Sequence, residues 1–279
     1  MQNAGIAALG LDWRYLAADV EAARLREAVD GAAAMKFIGV NLTVPHKLLA
    51  MEFVEELDET ARVWGAVNTI RFEGRLDEGW TPLARLPIDY EGPVRTHGFN
   101  TDADAIIRSL NEDLGIDPRG ARVVLLGAGG AGRVAALRLA AEGVGELFLV
   151  NRTVEKAESV RAEIGERYPA VNCHVGYPKE RHADLLLNAT SFGLRPEDGS
   201  PLDEDAFPID GASRVYDMIY RPAETPFLKR AREAGVRTAN GLGMLLYQGV
   251  KALEIWSGRP APVETMRAAL QANVYGPTD

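Results

Sequence analysis

Six residues restrict the fold of this chain more than any others: Gly127-Ala128-Gly129-Gly130-Ala131-Gly132. They directly follow the apolar run 122–126 (RVVLL) and open a stretch with helical periodicity at 130–141. A strand, a glycine turn and a helix in that order begin a parallel βαβ unit. The glycines let the backbone turn sharply and leave N–H groups at a positive helix end open to a pyrophosphate. The motif therefore predicts a Rossmann-type domain that binds a dinucleotide. A tight turn with no ligand is the plain alternative, and the strand–turn–helix setting argues against it.

The next apolar run, 146–150 (ELFLV), ends in Asn151-Arg152-Thr153. An NAD site places Asp or Glu there to hold the ribose 2′-hydroxyl. This strand tip has no acid. Arg152 can pair with a 2′-phosphate through charge-assisted hydrogen bonds, and Thr153 can add a hydroxyl. The expected cofactor is NADP(H). The bland alternative makes Arg152 a solvated side chain and Thr153 only the cap of the following helix.

Patterning extends the domain in both directions. Strands are expected at 122–126, 146–150, 172–175, 184–188 and 214–219, with helices at 130–141, 153–168 and 225–234, and a leading helix at 102–114. Strands alternating with helices imply a doubly wound parallel sheet over 102–240. Before it, 37–43 and 66–72 read as strands, 46–54 as a helix, and Glu73-Gly74 as a turn opening a hairpin with a long irregular loop to Gly98. After it, 241–256 and 262–274 read as helices. The expected class is α/β with two domains: a substrate domain with a mixed sheet, 1–101 plus 241–279, and an NADP domain, 102–240.

At 279 residues the chain suits two modest domains, and 47% hydrophobic content allows each a real core. The net charge of -9 disfavours nucleic acid as a partner. No apolar run reaches the roughly 20 residues of a membrane span, and Cys173 is the only cysteine, so no intrachain disulfide can form. These features suit a cytoplasmic protein with neither membrane nor nucleic acid as a partner. No His/Cys/Asp cluster has metal-ligand spacing.

Polar groups concentrate in the first hundred residues. Asn41-Leu42-Thr43-Val44-Pro45-His46-Lys47 puts an amide, a hydroxyl and an ammonium at one strand end, where an α/β crevice opens. Gly65-Ala66-Val67-Asn68-Thr69 and Gly98-Phe99-Asn100-Thr101-Asp102 follow. Singly, each has an ordinary reading: Lys47 as a solvated helix residue, Asn68 as a turn residue, Asp102 as a helix N-cap.

Taken in order, these blocks resemble the shikimate dehydrogenase family. So do GAGGA at 127–131, NRT at 151–153, Asn188-Ala189-Thr190-Ser191-Phe192-Gly193, the set Asp217, Tyr220, Pro222 and Thr225, and the set Gly241, Met244, Leu245, Gln248 and Gly249. The resemblance covers nearly the whole chain. It implies NADPH-dependent reduction of 3-dehydroshikimate to shikimate, a step of aromatic amino acid (chorismate) biosynthesis. It further implies Lys47 and Asp102 as the catalytic pair, and Thr43, Asn68, Tyr220 and Gln248 as substrate-binding groups. Thr190, Ser191, Met218 and Gly241 join residues 127–132 and 151–153 at the cofactor. Substrate is expected in a cleft, facing the nicotinamide. His46 is read as fixing its turn.

The sequence departs from the family in two places. A strand and an S-x-S turn that holds the substrate carboxylate precede the segment matching Met1-Gln2-Asn3, whereas the earliest serine here is Ser109. Residues 4–9 also read as the later part of a helix stopped by Gly10. The expectation is an in-frame upstream stretch of about 20 residues, a strand and its turn, with Met1 internal to a longer protein. The second departure is the long loop between Ile70 and Gly98. Rival readings are a quinate/shikimate dehydrogenase of broader specificity and an inactive NADP-binding homologue.

Overall fold

The computed structural model describes residues 1–77, 79–195 and 197–276. The chain divides into two compact units. One takes Met1–Asp102 and Leu246–Asn273; the other takes Ala103–Leu245 together with Val274, Tyr275 and Gly276. The second break, between Leu245 and Leu246, falls within the helix Leu242–Ser257.

In the first unit, α1 (Gln2–Ala8) stops just before Gly10, whose φ is +65°. Five strands form a mixed sheet: β1 (Gly39–Asn41), β2 (Glu56–Leu57), β3 (Thr69–Leu76), β4 (Gly79–Pro82) and β5 (Val94–Phe99). β3 is the spine. It pairs antiparallel with β5 from Thr69↔Phe99 to Gly74↔Val94, and on its other side with β1 near its start and β4 near its end. β2 runs parallel to β5.

Alternation along β3 sorts its two faces. Ile70 and Phe72 are fully buried in a cluster with Val67, Leu83, Ala61 and the inner face of α2 (Leu25–Ala34), namely Leu25, Val29 and Ala32. Arg71 and Glu73 point the other way. Glu73 is buried and accepts from Arg71, from Arg95 Nη2 at 2.8 Å and from His97 Nδ1 at 3.0 Å. This network corrects the turn expected at Glu73-Gly74. With three basic groups satisfying the carboxylate, the strand continues to Leu76, and the chain reverses beyond it at Asp77, where φ is +53°. Gly39 leaves room for Trp256, whose Nε1 would lie 2.1 Å from a Cβ there and donates to Ile70 O at 3.0 Å.

In the second unit, β6 (Arg122–Leu126), β7 (Glu146–Val150), β8 (Asn172–Val175), β9 (Leu185–Asn188), β10 (Arg214–Asp217) and β11 (Arg237–Asn240) form an all-parallel sheet. The order β11-β10-β9-β6-β7-β8 reverses direction between β6 and β9. Helices α5 (Asp102–Glu112), α6 (Gly130–Glu142), α7 (Val154–Arg167) and α8 (Pro226–Glu233) are interleaved, and α9 (Leu242–Ser257) and α10 (Val263–Tyr275) close the chain. Leu185–Leu187 of β9 and the centre of β6 are uninterrupted buried apolar runs, as expected of strands covered on both faces. Among the described residues no helix is long and apolar enough to cross a membrane.

Candidate active site

In the first unit the residues expected to handle substrate stand at the ends of β1, β3 and β5. Lys47 lies on a short helix, α3 (His46–Leu49), just past β1, and its backbone carbonyl accepts from Val67 N at 2.9 Å. That bond ties the NLTVPHK turn to the approach of β3. Asp102 is the first residue of α5, with its own N–H donated to Asn100 Oδ1 at 3.0 Å. The two side chains, separated by 55 positions, form an ion pair with Nζ 2.7 Å from Oδ2. Both are mostly but not fully buried, at 27% and 16% exposure, so the pair can be reached from solvent.

Asn68, 1% exposed, sits at the centre of a hydrogen-bond network. Its Oδ1 accepts from Thr101 N (2.9 Å), Thr69 Oγ1 (3.1 Å) and Thr101 Oγ1 (3.3 Å). Its Nδ2 donates to Thr101 Oγ1 (3.0 Å) and, more weakly, to Gln248 Oε1 (3.4 Å). Asn41 Nδ2 donates to Asn68 O and to Thr69 Oγ1, while its Oδ1 accepts from the Tyr15 hydroxyl at 3.0 Å. Burial raises the Tyr15 phenol, which keeps it a neutral donor. Lys47, Asp102, Asn68 and Gln248 are thus brought together. Thr43 is exposed beside them; its carbonyl accepts from His46 N at 2.8 Å. His46 closes the turn through that backbone N–H, while its buried Nδ1 has no hydrogen-bond partner among the described residues. In the sequence Asn41 is only one letter of the NLTVPHK block, and nothing there points to Tyr15.

The second unit holds the residues expected at the cofactor. Gly127 has φ +104°, and a Cβ on Gly132 would lie 2.1 Å from Gly127 O, so both positions exclude a side chain. A Cβ at Gly129 or Gly130 would meet nothing within 4 Å, and Gly129 caps α6 with no side-chain bond. The helix therefore presents exposed N–H groups to open space, a cradle that fits a pyrophosphate. Ala128 N donates to Asn151 Oδ1 at 2.9 Å, and Asn151 Nδ2 donates to Thr153 O at 2.7 Å, fixing the two strand tips together. Arg152 is exposed and makes no ion pair among the described residues, and no acid occupies the tip of β7. This donor set fits a 2′-phosphate.

Thr190 and Ser191 follow β9, and Met218 and Tyr220 follow β10. Thr190 N and Oγ1 both donate to Asn188 Oδ1, at 2.9 and 2.7 Å. Gly241 packs so closely on Met218 that a Cβ would lie 2.0 Å from Met218 O. Tyr220 is 38% exposed, belongs to this unit, and its carbonyl accepts from the Tyr275 hydroxyl at 2.6 Å.

A parallel sheet of this order, with a glycine turn after β6 and an open cation at the tip of β7, defines a nucleotide-dependent α/β protein of the Rossmann class. The chain belongs to the shikimate dehydrogenase family. Residues 1–70 match the shikimate dehydrogenase substrate binding domain, residues 110–192 shikimate / quinate 5-dehydrogenase, and residues 241–271 the shikimate 5′-dehydrogenase C-terminal domain. The shikimate dehydrogenase (NADP(+)) of Methanopyrus kandleri is 40% identical over 277 residues, covering 97% of this chain and 89% of that protein. Among solved structures, the 5-ketofructose reductase of Gluconobacter sp. strain CHM43 aligns with a TM-score of 0.80 at 35% identity, over 98% of this chain and 92% of that one. The shikimate 5-dehydrogenase of Thermus thermophilus, solved with NADP(H) and shikimate, aligns with a TM-score of 0.77 at 33% identity, over 96% and 91%.

Proposed function

We propose that the chain is an NADP-dependent shikimate dehydrogenase, reducing 3-dehydroshikimate reversibly to shikimate in aromatic amino acid biosynthesis. The observation that carries this reading is the Lys47–Asp102 ion pair at 2.7 Å beside the Asn68–Gln248 amides, in a chain of this family. The first unit serves as the substrate domain and the second as the NADP domain. NADPH, when bound, supplies the hydride. Lys47 donates an N–H to the substrate ketone oxygen, stabilises the negative charge that develops there, and gives up the proton that completes the hydroxyl. Asp102 holds the ammonium in place. Asn68 Nδ2 turns from its long contact with Gln248 to a ring hydroxyl, and Gln248 and Thr43 take the neighbouring hydroxyls, because amides and hydroxyls both donate and accept. Tyr220 is counted among the substrate-binding groups. Arg152 and Thr153 bind the 2′-phosphate, while residues 127–132, Asn151, Thr190, Ser191, Met218 and Gly241 surround the rest of the cofactor. The protein acts in the cytoplasm, as monomer or homodimer.

Steady-state oxidation of shikimate and of quinate, each with NADP+ and NAD+, tests the reading. Turnover with shikimate and NADP+ well above every other pair supports it. Comparable use of quinate would make the enzyme a quinate/shikimate dehydrogenase, and NADPH binding without turnover would make it an inactive homologue. The likeness to a ketose reductase adds one arm, reduction of 5-ketofructose by NADPH, whose dominance would replace the substrate assignment.

A further inference from the structure

The second unit contains a buried carboxylate with no role in the chemistry above. Asp217 ends β10 and is 0% exposed. Its Oδ1 accepts from Asn188 Nδ2 and from Ile219 N, both at 3.0 Å, and its Oδ2 accepts from Thr225 Oγ1 at 2.6 Å. Every one of these donors is neutral. Burial pushes the carboxyl up to about 6 even though the three hydrogen bonds pull it down. A buried charge without a cationic partner destabilises a fold, and a neutral side chain could fill the same space. Stability alone therefore does not account for an acid here.

What the carboxylate joins does account for it. Asn188 ends β9, and its amide serves both sides. Nδ2 reaches Asp217 and Phe192 O (3.3 Å), while Oδ1 accepts both donors of Thr190. Asn188 O also accepts from Met218 N at 2.9 Å. Thr225, fully buried, caps α8 by accepting from Leu228 N at 3.3 Å. One carboxylate thus fixes the loop after β9, which carries Thr190 and Ser191, and the loop after β10, which carries Met218 and Tyr220.

The strand order says which part of a dinucleotide these loops meet. The glycine turn follows β6 and Arg152 tips β7, on one side of the reversal point; β9 and β10 lie on the other. A dinucleotide laid across the carboxyl ends, with its 2′-phosphate at Arg152, carries its nicotinamide to the β9–β10 side. We propose that Asp217 is a positioning residue for the nicotinamide half of the cofactor, clamping the two loops that receive it. The proposal rests on the NADP reading given above.

The test compares two probes on the full chain. NADPH spans both halves of the site, whereas 2′,5′-ADP carries the 2′-phosphate and no nicotinamide. Wild-type protein must bind both; failure to bind either sinks the underlying NADP reading and not the clamp alone. Asp217→Asn puts an NH2 group where one of three donors needs an acceptor. The expected result is a Kd for NADPH raised on the order of ten-fold, with the Kd for 2′,5′-ADP changed less than two-fold. Thr225→Val removes one donor, keeps the charge, and should shift NADPH binding in the same direction to a smaller extent. It carries the test if Asp217→Asn fails to fold. Equal weakening of both probes would mean that Asp217 merely supports the unit, and unchanged NADPH binding would mean that the loops do not depend on it. Either result overturns the proposal.

Discussion

Replacing Glu73 by Gln tests how much the buried ionic network on the Arg71–Glu73 face of the first sheet contributes. Burial alone would raise this carboxyl. Hydrogen bonds from His97, Arg71 and Arg95 outweigh burial and hold it at about 2, against an ordinary 4.5. Because the folded value lies below the unfolded one, the stabilisation is complete above the unfolded value and is lost as pH falls through the folded one. A drop of this size corresponds to about 3 kcal/mol at neutral pH. Glutamine imitates the protonated acid, so at pH 7 Glu73→Gln should be about 3 kcal/mol less stable than wild type. By pH 3, where most of the unfolded-state carboxyl is protonated, the gap should shrink to less than half. The sequence offers a clean probe: Trp13, Trp64, Trp80 and Trp256 are all its tryptophans, and all lie in the first unit. Urea titrations followed by tryptophan fluorescence at the two pH values therefore report that unit alone. A gap below about 1 kcal/mol at pH 7, or one that does not narrow at pH 3, would refute the account.

Lys47→Ala should lower kcat by roughly two to four orders of magnitude while leaving the Kd for NADPH unchanged, since the ammonium is needed where charge develops. A near-normal kcat removes Lys47 from the mechanism. Arg152→Ala should raise KM for NADP+ several-fold with little effect on NAD+, and equal effects on both cofactors would contradict the 2′-phosphate assignment. Tyr15→Phe deletes the hydroxyl that orients Asn41 and should raise KM for shikimate a few-fold, with NADPH binding intact; an unaltered KM would show that the Asn41–Asn68 chain holds without it.

The sequence was most legible where a strand is buried on both faces. β6 and β7 are legible to the residue because each holds an apolar run and a glycine turn opening a helix follows the first. It was least legible where partners are distant. α2 and α4 (Glu59–Trp64) went unread, as did the two-residue β2, whose pairing with β5 leaves no local signature. Glu73-Gly74 looked like a turn because an acid beside a glycine usually is one; only Arg95 and His97, more than twenty residues on, make it a strand. Lys47 and Asp102 were paired through the family's blocks and not through any local rule. Tyr15 lies in an extended stretch with no periodicity, and Asp217 is one letter of a block with no role of its own, since burial and hydrogen-bond partners cannot be seen along the chain.

The first unit is assembled from the two ends of the chain, whereas the second is almost one continuous stretch. During synthesis every strand of the second sheet is made before Leu246–Asn273, the segment that supplies Trp256 against Gly39 and Gln248 beside Asn68. The nucleotide-binding half can therefore form while the other half still lacks its closing helices. An already folded insert also brings the distant ends of the first unit nearer together, so ring closure costs less than for a disordered loop of equal length. A chain released after residue 245 would thus keep every strand of the second sheet, while the network of the first sheet would have no Gln248. The side chains expected to hold substrate come together last.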